Sequence, residues 1–289
     1  MISVIVETWN LGVRSDRVVD LLALLEPQIE ATAAELVVTA ERPPPGDLPA
    51  IARWRTLPPG SDYYQHKNSG AEAARGDVLA FIDGDCRPST SWLEHLTSPI
   101  LEGGARVVAG ATSYPGPIAP LANQIDFPYF AGERGTVRNF FANNVAFTRE
   151  LFSARPYPTI EPMFHGQCQV LGLRLVRERI PIHFAATATV THAWPEGARE
   201  WLEVRLLRGA DTAALLPHVL ATYAPRLGKL CGRAPRLSAL ALLGLRGARA
   251  TLAALRDGPR LRNLGFVAFV TALDSIGAAA TPLVYRLAG

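Results

Sequence analysis

The chain has 289 residues with a net charge of +3, and 48% of its residues are hydrophobic. That length suits one large domain, or a domain with an appendage, around a sizeable core. Its three cysteines, Cys86, Cys168 and Cys231, form no CxxC pair, which argues against a disulfide framework or a structural zinc site. Because Met1 leads directly into an apolar run without a charged leader, we expect a reducing, cytoplasmic location.

Charge is unevenly distributed along the chain. From Arg226 to the end, ten Lys/Arg residues stand against two Asp/Glu residues, a balance of +8, whereas residues 1–225 have a balance of −5. A basic tail on a mildly acidic body predicts an anionic partner or surface. The basic residues are not interleaved with aromatic residues, so we expect no nucleic-acid partner.

Short apolar runs alternate with segments of helical periodicity. Such alternation predicts crossover connections and an α/β fold with a mostly parallel sheet flanked by helices. The predicted strands are Ile2–Glu7, Glu35–Ala40, Arg53–Pro58, Val78–Ile82, Ala105–Gly110 and Ile182–His192, with a further short strand inside Phe140–Phe152. The predicted helices are Arg17–Gln28, Tyr63–Ala74, Ser91–Leu101, Gly166–Arg179 and Glu196–Leu216.

Two acidic residues follow the predicted strand Val78–Ile82. Asp83 and Asp85 are separated by Gly84, at the edge of the sheet where α/β proteins bind ligands. Two neighbouring carboxylates need a positive charge to neutralise them, and a divalent cation carrying a phosphate would supply it. Oxygen ligands suit magnesium or manganese. The alternative is a solvated acidic turn with Gly84 at positive φ.

The order of these segments resembles family 2 glycosyltransferases, which have the GT-A fold. "SVIVETWN" is similar to that family's opening strand V-S-V-I-I-P-T-Y-N, and "HKNSGAEAARGDVLAFIDGDC" resembles its A-R-N-x-G…A-x-G-D…F-L-D-x-D-D stretch. "NNVAFTRELF" is similar to the segment beside the acceptor site, and "ATVTHAWPEG" to the late strand that ends in His. The resemblance implies a nucleotide-diphospho-sugar transferase domain, which we expect over residues 1–222, and a C-terminal helical extension over residues 223–289.

The resemblance also implies an activity and a set of roles. A metal-dependent, inverting transfer would move a sugar from a nucleotide-activated donor to an acceptor hydroxyl, with Mn²⁺ or Mg²⁺ as cofactor. Asp83, Asp85 and His192 would be the metal ligands, and Trp9 would stack on the base. The residues implied for the nucleotide-sugar are Thr8, Trp9, Asn10, Glu41, Lys67, Asp83 and Asn144, with Lys67 facing the diphosphate. Alternatively, His192 only ends a strand, Trp9 is a core aromatic, and Asn143 and Asn144 make a turn.

Three positions depart from the family pattern. Glu7 stands where the family has Pro, and only Glu41 remains where an Asp-Asp pair usually reads the base. The family's G-E-D-x-x-L-G-x-R-L pattern becomes "GQCQVLGLRL", so that Gln167 and Cys168 occupy the acidic positions of the catalytic segment. The chain therefore has no obvious general base. A domain that binds a nucleotide-sugar or a partner protein without catalysis is the alternative function.

The candidates for the missing base lie near the altered pattern. They are His165, Glu161, Asp126 and the thiolate of Cys168. His165 has the most suitable ordinary pKa, about 6.5. It precedes a predicted helix start, where the helix dipole lowers the pKa of a histidine and so favours the neutral form that a base requires. The alternative is a surface histidine in a loop.

The basic tail contains two long apolar segments. In Leu237–Arg262, the spacing of Arg246, Arg249, Arg256 and Arg260 puts them on one helix face, opposite leucines and alanines. This pattern is typical of a helix in an anionic membrane interface, or of a helix packed on the catalytic domain with its arginines in water. Leu264–Tyr285 is long enough to span a bilayer, but its central Asp favours a hairpin of peripheral or packed helices. We therefore expect a protein on the inner face of a membrane, with a lipid-linked or small-molecule acceptor.

Overall fold

The chain folds into two compact units in the computed structural model, which describes residues 1–9, 11, 18–44, 51–231, 234–256 and 261–288. The first unit comprises Met1–Ser113, Tyr129–Thr159 and Leu175–Ala193. The second comprises Tyr114–Pro128, Ile160–Arg174 and Trp194–Gly289. The expected boundary between residues 222 and 223 coincides with a helix end inside the second unit, and it stays a prediction.

Nine strands of the described residues form one sheet, which belongs to the first unit. They are β1 (Ile2–Glu7), β2 (Glu35–Ala40), β3 (Ala52–Thr56), β4 (Val78–Asp83), β5 (Cys86–Pro88), β6 (Val107–Ser113), β7 (Thr136–Val137), β8 (Asn144–Thr148) and β9 (Ile182–His192). Their order is β3-β2-β1-β4-β8-β6-β9-β5, and β7 pairs with β9.

The sheet is entirely parallel in its first half and mixed in its second half. Strands β3, β2, β1 and β4 are parallel neighbours, and β6 is parallel to β9. Strand β8 lies antiparallel between β4 and β6, and β5 and β7 are antiparallel to β9. The α/β prediction is confirmed, but the second half of the sheet is mixed.

Helices pack on the sheet and also form most of the second unit. In the first unit, α1 (Val18–Thr32), α2 (Tyr63–Ala73), α3 (Trp92–Leu101) and α5 (Arg149–Ala154) accompany the strands, and α6 (Gln167–Arg177) crosses the boundary between the units. The second unit contains α4 (Ala119–Asp126), α7 (Gly197–Tyr223), α8 (Pro225–Cys231), α9 (Pro235–Arg256), α10 (Leu261–Ala279) and α11 (Thr281–Ala288).

Side-chain alternation along the central strands builds a core on each face of the sheet. Val4 and Ile82 belong to a buried cluster that includes the inner faces of α1 and α3. Ile5 and Phe81 point the other way, as neighbours in a strand must. Phe81 packs there among aromatic rings, and a Cβ added at Gly70 of α2 would lie only 2.5 Å from Ile5 Cγ2. This close approach fixes α2 against the carboxyl-terminal half of β1.

A buried network of charges joins four helices of the second unit. The guanidinium of Arg205 (α7) binds Asp126 (α4) at 2.6 Å and Asp274 (α10) at 2.5 Å, and all three side chains are buried. Arg208 also binds Asp126, at 2.7 Å, and Arg246 (α9) binds Asp274. Because Arg246 pairs with the buried Asp274, it does not belong to the predicted row of arginines that faces a membrane interface.

The C-terminal helices expose large apolar side chains. Leu245 is 70% exposed and Leu252 is 59% exposed, both on α9. The stretch Pro235–Leu255 is long and apolar enough to cross a membrane, and 28% of it is buried. Helices α10 and α11 pass the same test only together, and they are bent by 91° at their junction. The bend is not compatible with one straight helix over Leu264–Tyr285, and the predicted hairpin of peripheral or packed helices stays a prediction.

Candidate active site

The two predicted metal-binding acids lie where the parallel strands end. β4 ends at Asp83, and the turn into β5 carries Gly84 and Asp85. The Gly84 amide donates to the carbonyl of Glu7 at 2.8 Å, and a Cβ at Gly84 would meet that oxygen at 2.9 Å. A glycine is therefore required at position 84 because the turn approaches β1 too closely for a Cβ atom. Its φ is not the reason, because Gly84 is not among the described glycines with positive φ.

Lys67 and Tyr63 of α2 both contact Asp83. A capping box between Asp62 and Gln65 begins this helix. Lys67 Nζ lies 2.6 Å from Asp83 Oδ1, and the Tyr63 hydroxyl donates to the same carboxylate at 2.9 Å. Both side chains of the ion pair are buried. The ammonium of Lys67 thus neutralises Asp83 rather than facing a diphosphate, because it is enclosed beneath the turn. This contact differs from the predicted role of Lys67.

Glu7 adds a third carboxylate next to the turn. It is fully buried, pairs with Asp83 in register across β1 and β4, and accepts the Trp9 amide at 2.7 Å through Oε2. Its other oxygen has no hydrogen-bond partner. Burial raises the pKa of Glu7 well above its ordinary value, and the neighbouring charge of Asp83 adds to the rise. Three acids therefore surround one buried lysine, an arrangement that favours the protonated form of Glu7.

Four side chains at this edge are close enough to share one metal ion. Asp83, Asp85, Cys86 and His192 each offer one ligand atom, and these atoms lie within 4.8 Å of one another. Strand pairing produces this group, since Cys86 of β5 lies opposite His192 at the end of β9. His192 Nε2 is 3.7 Å from Asp85 Oδ2. Burial raises the pKa of Asp85, His192 opposes that rise, and Asp83 adds to it.

The donor set fits a divalent cation. Carboxylate oxygens and an imidazole nitrogen suit manganese, and a positive ion would relieve the repulsion between Asp83 and Asp85. The sequence predicted Asp83, Asp85 and His192 as ligands, but not Cys86. The pairing of β5 with β9 brings Cys86 into the group, and a strand of three residues carries no periodic signal that could have predicted it.

The residues predicted to lie under the nucleotide follow β1 and β2. The Thr8 side chain is buried and donates to the Thr39 carbonyl at 3.2 Å. Trp9 is half-buried, with its ring edge-on to Tyr63 at 6.0 Å. Glu41 is half-buried and accepts the Gly60 amide at 2.7 Å. Asn10 lies outside the described residues. These side chains border the carboxyl ends of the parallel strands, and their predicted contacts with a nucleotide stay predictions.

Asn144 has a structural role that differs from its predicted one. Its side chain is fully buried, and its Oδ1 accepts the indole N–H of Trp92 at 2.9 Å. Its amide nitrogen donates to the carbonyls of Ala111 and Ala188. All its polar atoms are therefore engaged in tying β8 to β6, β9 and α3, which leaves no group for a sugar hydroxyl. The neighbouring Asn143 accepts the Thr112 hydroxyl at 3.0 Å.

The altered catalytic segment supplies no acid. Gln167 is buried, and its amide donates to the Met163 carbonyl at 2.7 Å and accepts the Gly166 amide at 3.0 Å, so it closes the start of α6. Cys168 is also buried. Glu161 is exposed. These residues belong to the second unit, or to the part of α6 within it, whereas the Asp83–Asp85 turn belongs to the first.

Asp126 is not a suitable base. Burial alone would raise the pKa of its carboxyl, but the guanidiniums of Arg205 and Arg208 outweigh burial and hold that pKa below its ordinary value. A carboxylate bound by two arginines has little tendency to accept a proton. The structure therefore removes Asp126 from the predicted candidates.

His165 has a carboxylate partner. Its backbone amide donates to Asp211 Oδ2 at 2.7 Å, and its Nδ1 lies 3.5 Å from the same oxygen. The Tyr285 hydroxyl donates to Asp211 Oδ1 at 2.8 Å and so fixes the carboxylate from the other side. The imidazole is 29% exposed. General bases are commonly paired with an aspartate, but the 3.5 Å separation is longer than the hydrogen bond by which an aspartate orients the ring. The partner is 46 residues away in sequence, so spacing alone could not reveal it.

Proteins similar to this chain include glycosyltransferases. A mannosyltransferase from Pyrobaculum calidifontis, solved in complex with GDP-Man and Mn²⁺, superposes with a TM-score of 0.61 over 97% of this chain and 86% of that one, at 13% identity. The polypeptide N-acetylgalactosaminyltransferase 8 of Drosophila melanogaster is 31% identical over 109 residues, which is 36% of this chain and 17% of that protein. The glucosyl-dolichyl phosphate glucuronosyltransferase of Haloferax volcanii is 32% identical over 96 residues, or 30% and 31% of the two chains.

The sheet topology and the likeness to solved structures show the GT-A fold, as the sequence predicted. Residues 55–153 match the family described as glycosyl transferase family 2. The chain spans less than a third of the length of each of the two curated relatives. The likeness to the mannosyltransferase establishes the fold.

Proposed function

We propose that this protein transfers a sugar from a nucleoside-diphosphate donor to an acceptor hydroxyl, with inversion at the anomeric carbon, and that a divalent cation assists. The observation that carries the proposal is the group formed by Asp83, Asp85 and His192 at the carboxyl edge of the parallel strands. Ligands of open α/β sheets bind at that edge. The donor's nucleoside would lie over the ends of β1 and β2, near Thr8, Trp9 and Glu41.

The cation would be held by Asp83, Asp85 and His192, with manganese favoured over magnesium because an imidazole ligand suits manganese better. When bound, it supplies positive charge to the departing nucleoside diphosphate. Lys67 would position Asp83 through their 2.6 Å contact. Because Lys67 is buried, its contribution to the diphosphate would be through the field of the site and not through direct contact.

His165 is the base that we favour. The acceptor hydroxyl must lose its proton as it attacks the anomeric carbon, and His165 would take that proton, with the Asp211 carboxylate 3.5 Å from its Nδ1. Cys168 would have to ionise in a buried position, which opposes a charged thiolate. Glu161 is exposed, as ordinary surface acids are, so it is a weaker candidate for the base.

The acceptor that we favour is lipid-linked, at the inner face of a membrane. Exposed leucines of α9 recur at Leu237, Leu245 and Leu252, roughly two turns apart along one side of the helix. Among the described residues from 234 onward, every exposed charged side chain is an arginine: Arg236, Arg249, Arg262 and Arg286. Exposed leucines beside arginines suit the boundary of a bilayer that carries anionic lipids.

Vesicle binding tests the membrane proposal. Each fully buried leucine contributes about 1.5–3 kcal/mol. Leu245→Gln with Leu252→Gln should therefore weaken binding to anionic vesicles by at least about tenfold. Leu101→Gln, which changes a leucine 56% exposed on α3 of the first unit, is the matched control and should bind as the parent does. Equal binding by the double variant and the parent would refute the proposal.

A turnover assay tests the activity itself. The parent, supplied with Mn²⁺ and a panel of UDP, GDP and dTDP sugars, should consume one class of donor and release its nucleoside diphosphate. The replacement of the family's acids by Gln167 and Cys168 favours one competing function, binding of a nucleotide-sugar without transfer. Mn²⁺-dependent nucleotide binding with no turnover against any acceptor, including polyprenyl phosphates, would support that function instead.

A further inference from the structure

The metal-ligating group contains one donor that the proposed reaction does not use. Cys86 lies next to Asp85 in sequence and opposite His192 across the β5–β9 pair. Its sulfur belongs to the group of four ligand atoms within 4.8 Å of one another, and it lies 3.8 Å from Asp85 Oδ1. The Ala193 amide also donates to the Asp85 carbonyl at 3.1 Å, which holds the acidic turn against the end of β9.

Sulfur changes the choice of metal at such a site. Manganese and magnesium prefer oxygen ligands, whereas thiolates select zinc and other soft ions. Zinc binds Cys sulfur at about 2.3 Å, His nitrogen at about 2.0–2.1 Å and carboxylate oxygen at about 2.0–2.2 Å. At the tetrahedral angle, two atoms bound to one such ion lie about 3.3–3.7 Å apart. The widest pair of the four atoms would therefore have to close by about 1–1.5 Å, a distance within the reach of side-chain rotation.

We infer that Cys86 makes this centre a dual-specificity metal site, in which a thiophilic divalent ion gains the Cys86 sulfur as a fourth protein ligand and blocks the donor. The inference rests on the proposed function, because it concerns the same site. A hard ion held by Asp83, Asp85 and His192 keeps coordination positions for the donor's diphosphate. Zinc with four protein ligands has a closed shell, as in structural zinc sites, and leaves no position for it. On binding, the Cys86 thiol releases its proton to solvent and the sulfur lone pair forms the bond to the ion.

The buried position of Cys86 allows a second explanation, which the experiment must separate. Its side chain is 1% exposed and packs in the same core cluster as α1 and α3. A cysteine that serves only packing would leave the metal preference unchanged when replaced. A cysteine that ligates zinc would leave the manganese response intact and remove the response to soft ions.

Cobalt provides the direct probe, because a Co²⁺–thiolate bond gives a near-ultraviolet charge-transfer absorption that oxygen and nitrogen ligands do not give. Titration of the full-length protein with Co²⁺ should produce this band at one equivalent. Cys86→Ser should lose the band, and Cys168→Ser and Cys231→Ser should keep it. Loss of a second-shell partner already costs about 10–100-fold in metal affinity, so we expect Zn²⁺ to bind Cys86→Ser at least about tenfold more weakly.

Competition measurements complete the test. Zn²⁺ should displace Mn²⁺-dependent UDP or GDP binding in the parent at lower concentrations than in Cys86→Ser, by at least about tenfold. X-ray absorption at the zinc edge of the parent should show one sulfur at about 2.3 Å, and this measurement does not depend on how the variants fold. No sulfur scatterer, or a cobalt band that survives Cys86→Ser, would overturn the inference. Absence of Mn²⁺-dependent nucleotide binding in the parent would count against the proposed function, whatever the cobalt result.

Discussion

Replacement of Lys67 by methionine removes the lysine that neutralises a cluster of buried acids. Lys67 and Asp83 are 0% and 3% exposed, and Glu7 is fully buried next to them. Breaking a buried ion pair by removing one partner costs about 3–5 kcal/mol, because the other charge remains buried and unpaired. At about 2–4 °C of Tm for each kcal/mol in domains of 150–250 residues, Lys67→Met should lower Tm by roughly 6–20 °C.

The same variant should become dependent on metal for its stability. A divalent ion between Asp83 and Asp85 would replace part of the missing positive charge, so Mn²⁺ should raise the Tm of Lys67→Met by more than it raises that of the parent. Thermal denaturation followed by circular dichroism, with and without Mn²⁺, measures both effects. Arg199→Met is the control, since the pair of Arg199 with Glu203 is exposed, and its denaturation midpoint should not change. A Lys67→Met midpoint equal to that of the parent, with no added response to Mn²⁺, would refute the reasoning.

Three further changes probe the site. Asp85→Asn should abolish Mn²⁺-dependent nucleotide binding while leaving Tm within a few degrees of the parent; a variant that bound UDP, GDP and dTDP as before would contradict the metal site. Burial and Asp83 raise the pKa of Glu7, so the folded state holds the proton more tightly and loses stability as pH rises above about 4.5; Glu7→Gln should flatten this loss in urea titrations between pH 5 and 8. His165→Ala should lower kcat by roughly 10²–10⁴ with little change in donor affinity, and an unchanged kcat would exclude His165 as the base.

The sequence predicted the first half of the sheet well because its signals are local. β1, β2 and β9 have the predicted bounds, and β4 is longer by one residue, Asp83. Each of β1, β2 and β4 is a short apolar run, a pattern typical of strands covered on both faces. Helix α1 continues to Thr32, a turn beyond the predicted end, because Ile29 extends its buried face past Pro27. The antiparallel pairing of β8 with β4 and of β5 with β9 depends on contacts between distant segments. Hydrophobic periodicity and residue propensity do not encode such contacts.

The sequence predicted which residues belong to the candidate site better than it predicted which contacts they make. Asp83, Asp85 and His192 were chosen from the DGD turn and the late strand, and the structure brings their ligand atoms together. Spacing could not show that the Lys67 ammonium points inward to Asp83. The position of Lys67 in helix α2 does not by itself say whether its side chain faces the protein interior or the solvent. The sequence predicted that Asn144 would bind the nucleotide-sugar. In the structure, the indole N–H of Trp92, 52 residues earlier, donates to the side-chain oxygen of Asn144.

The buried charges of the second unit also constrain when that unit can finish folding during synthesis. Asp126, Arg205 and Asp274 are separated by 79 and 69 residues, so the last partner of Arg205 leaves the ribosome long after the first. The sheet unit ends at Ala193, before Arg205 has been synthesised, and can form earlier. While the chain is shorter than 274 residues, Asp126 is the only one of these two acids with which Arg205 can pair, and α10 is not yet complete enough to cover α7. That interval is when the helical unit is most exposed to proteases and to aggregation, and the arrival of Asp274 ends it.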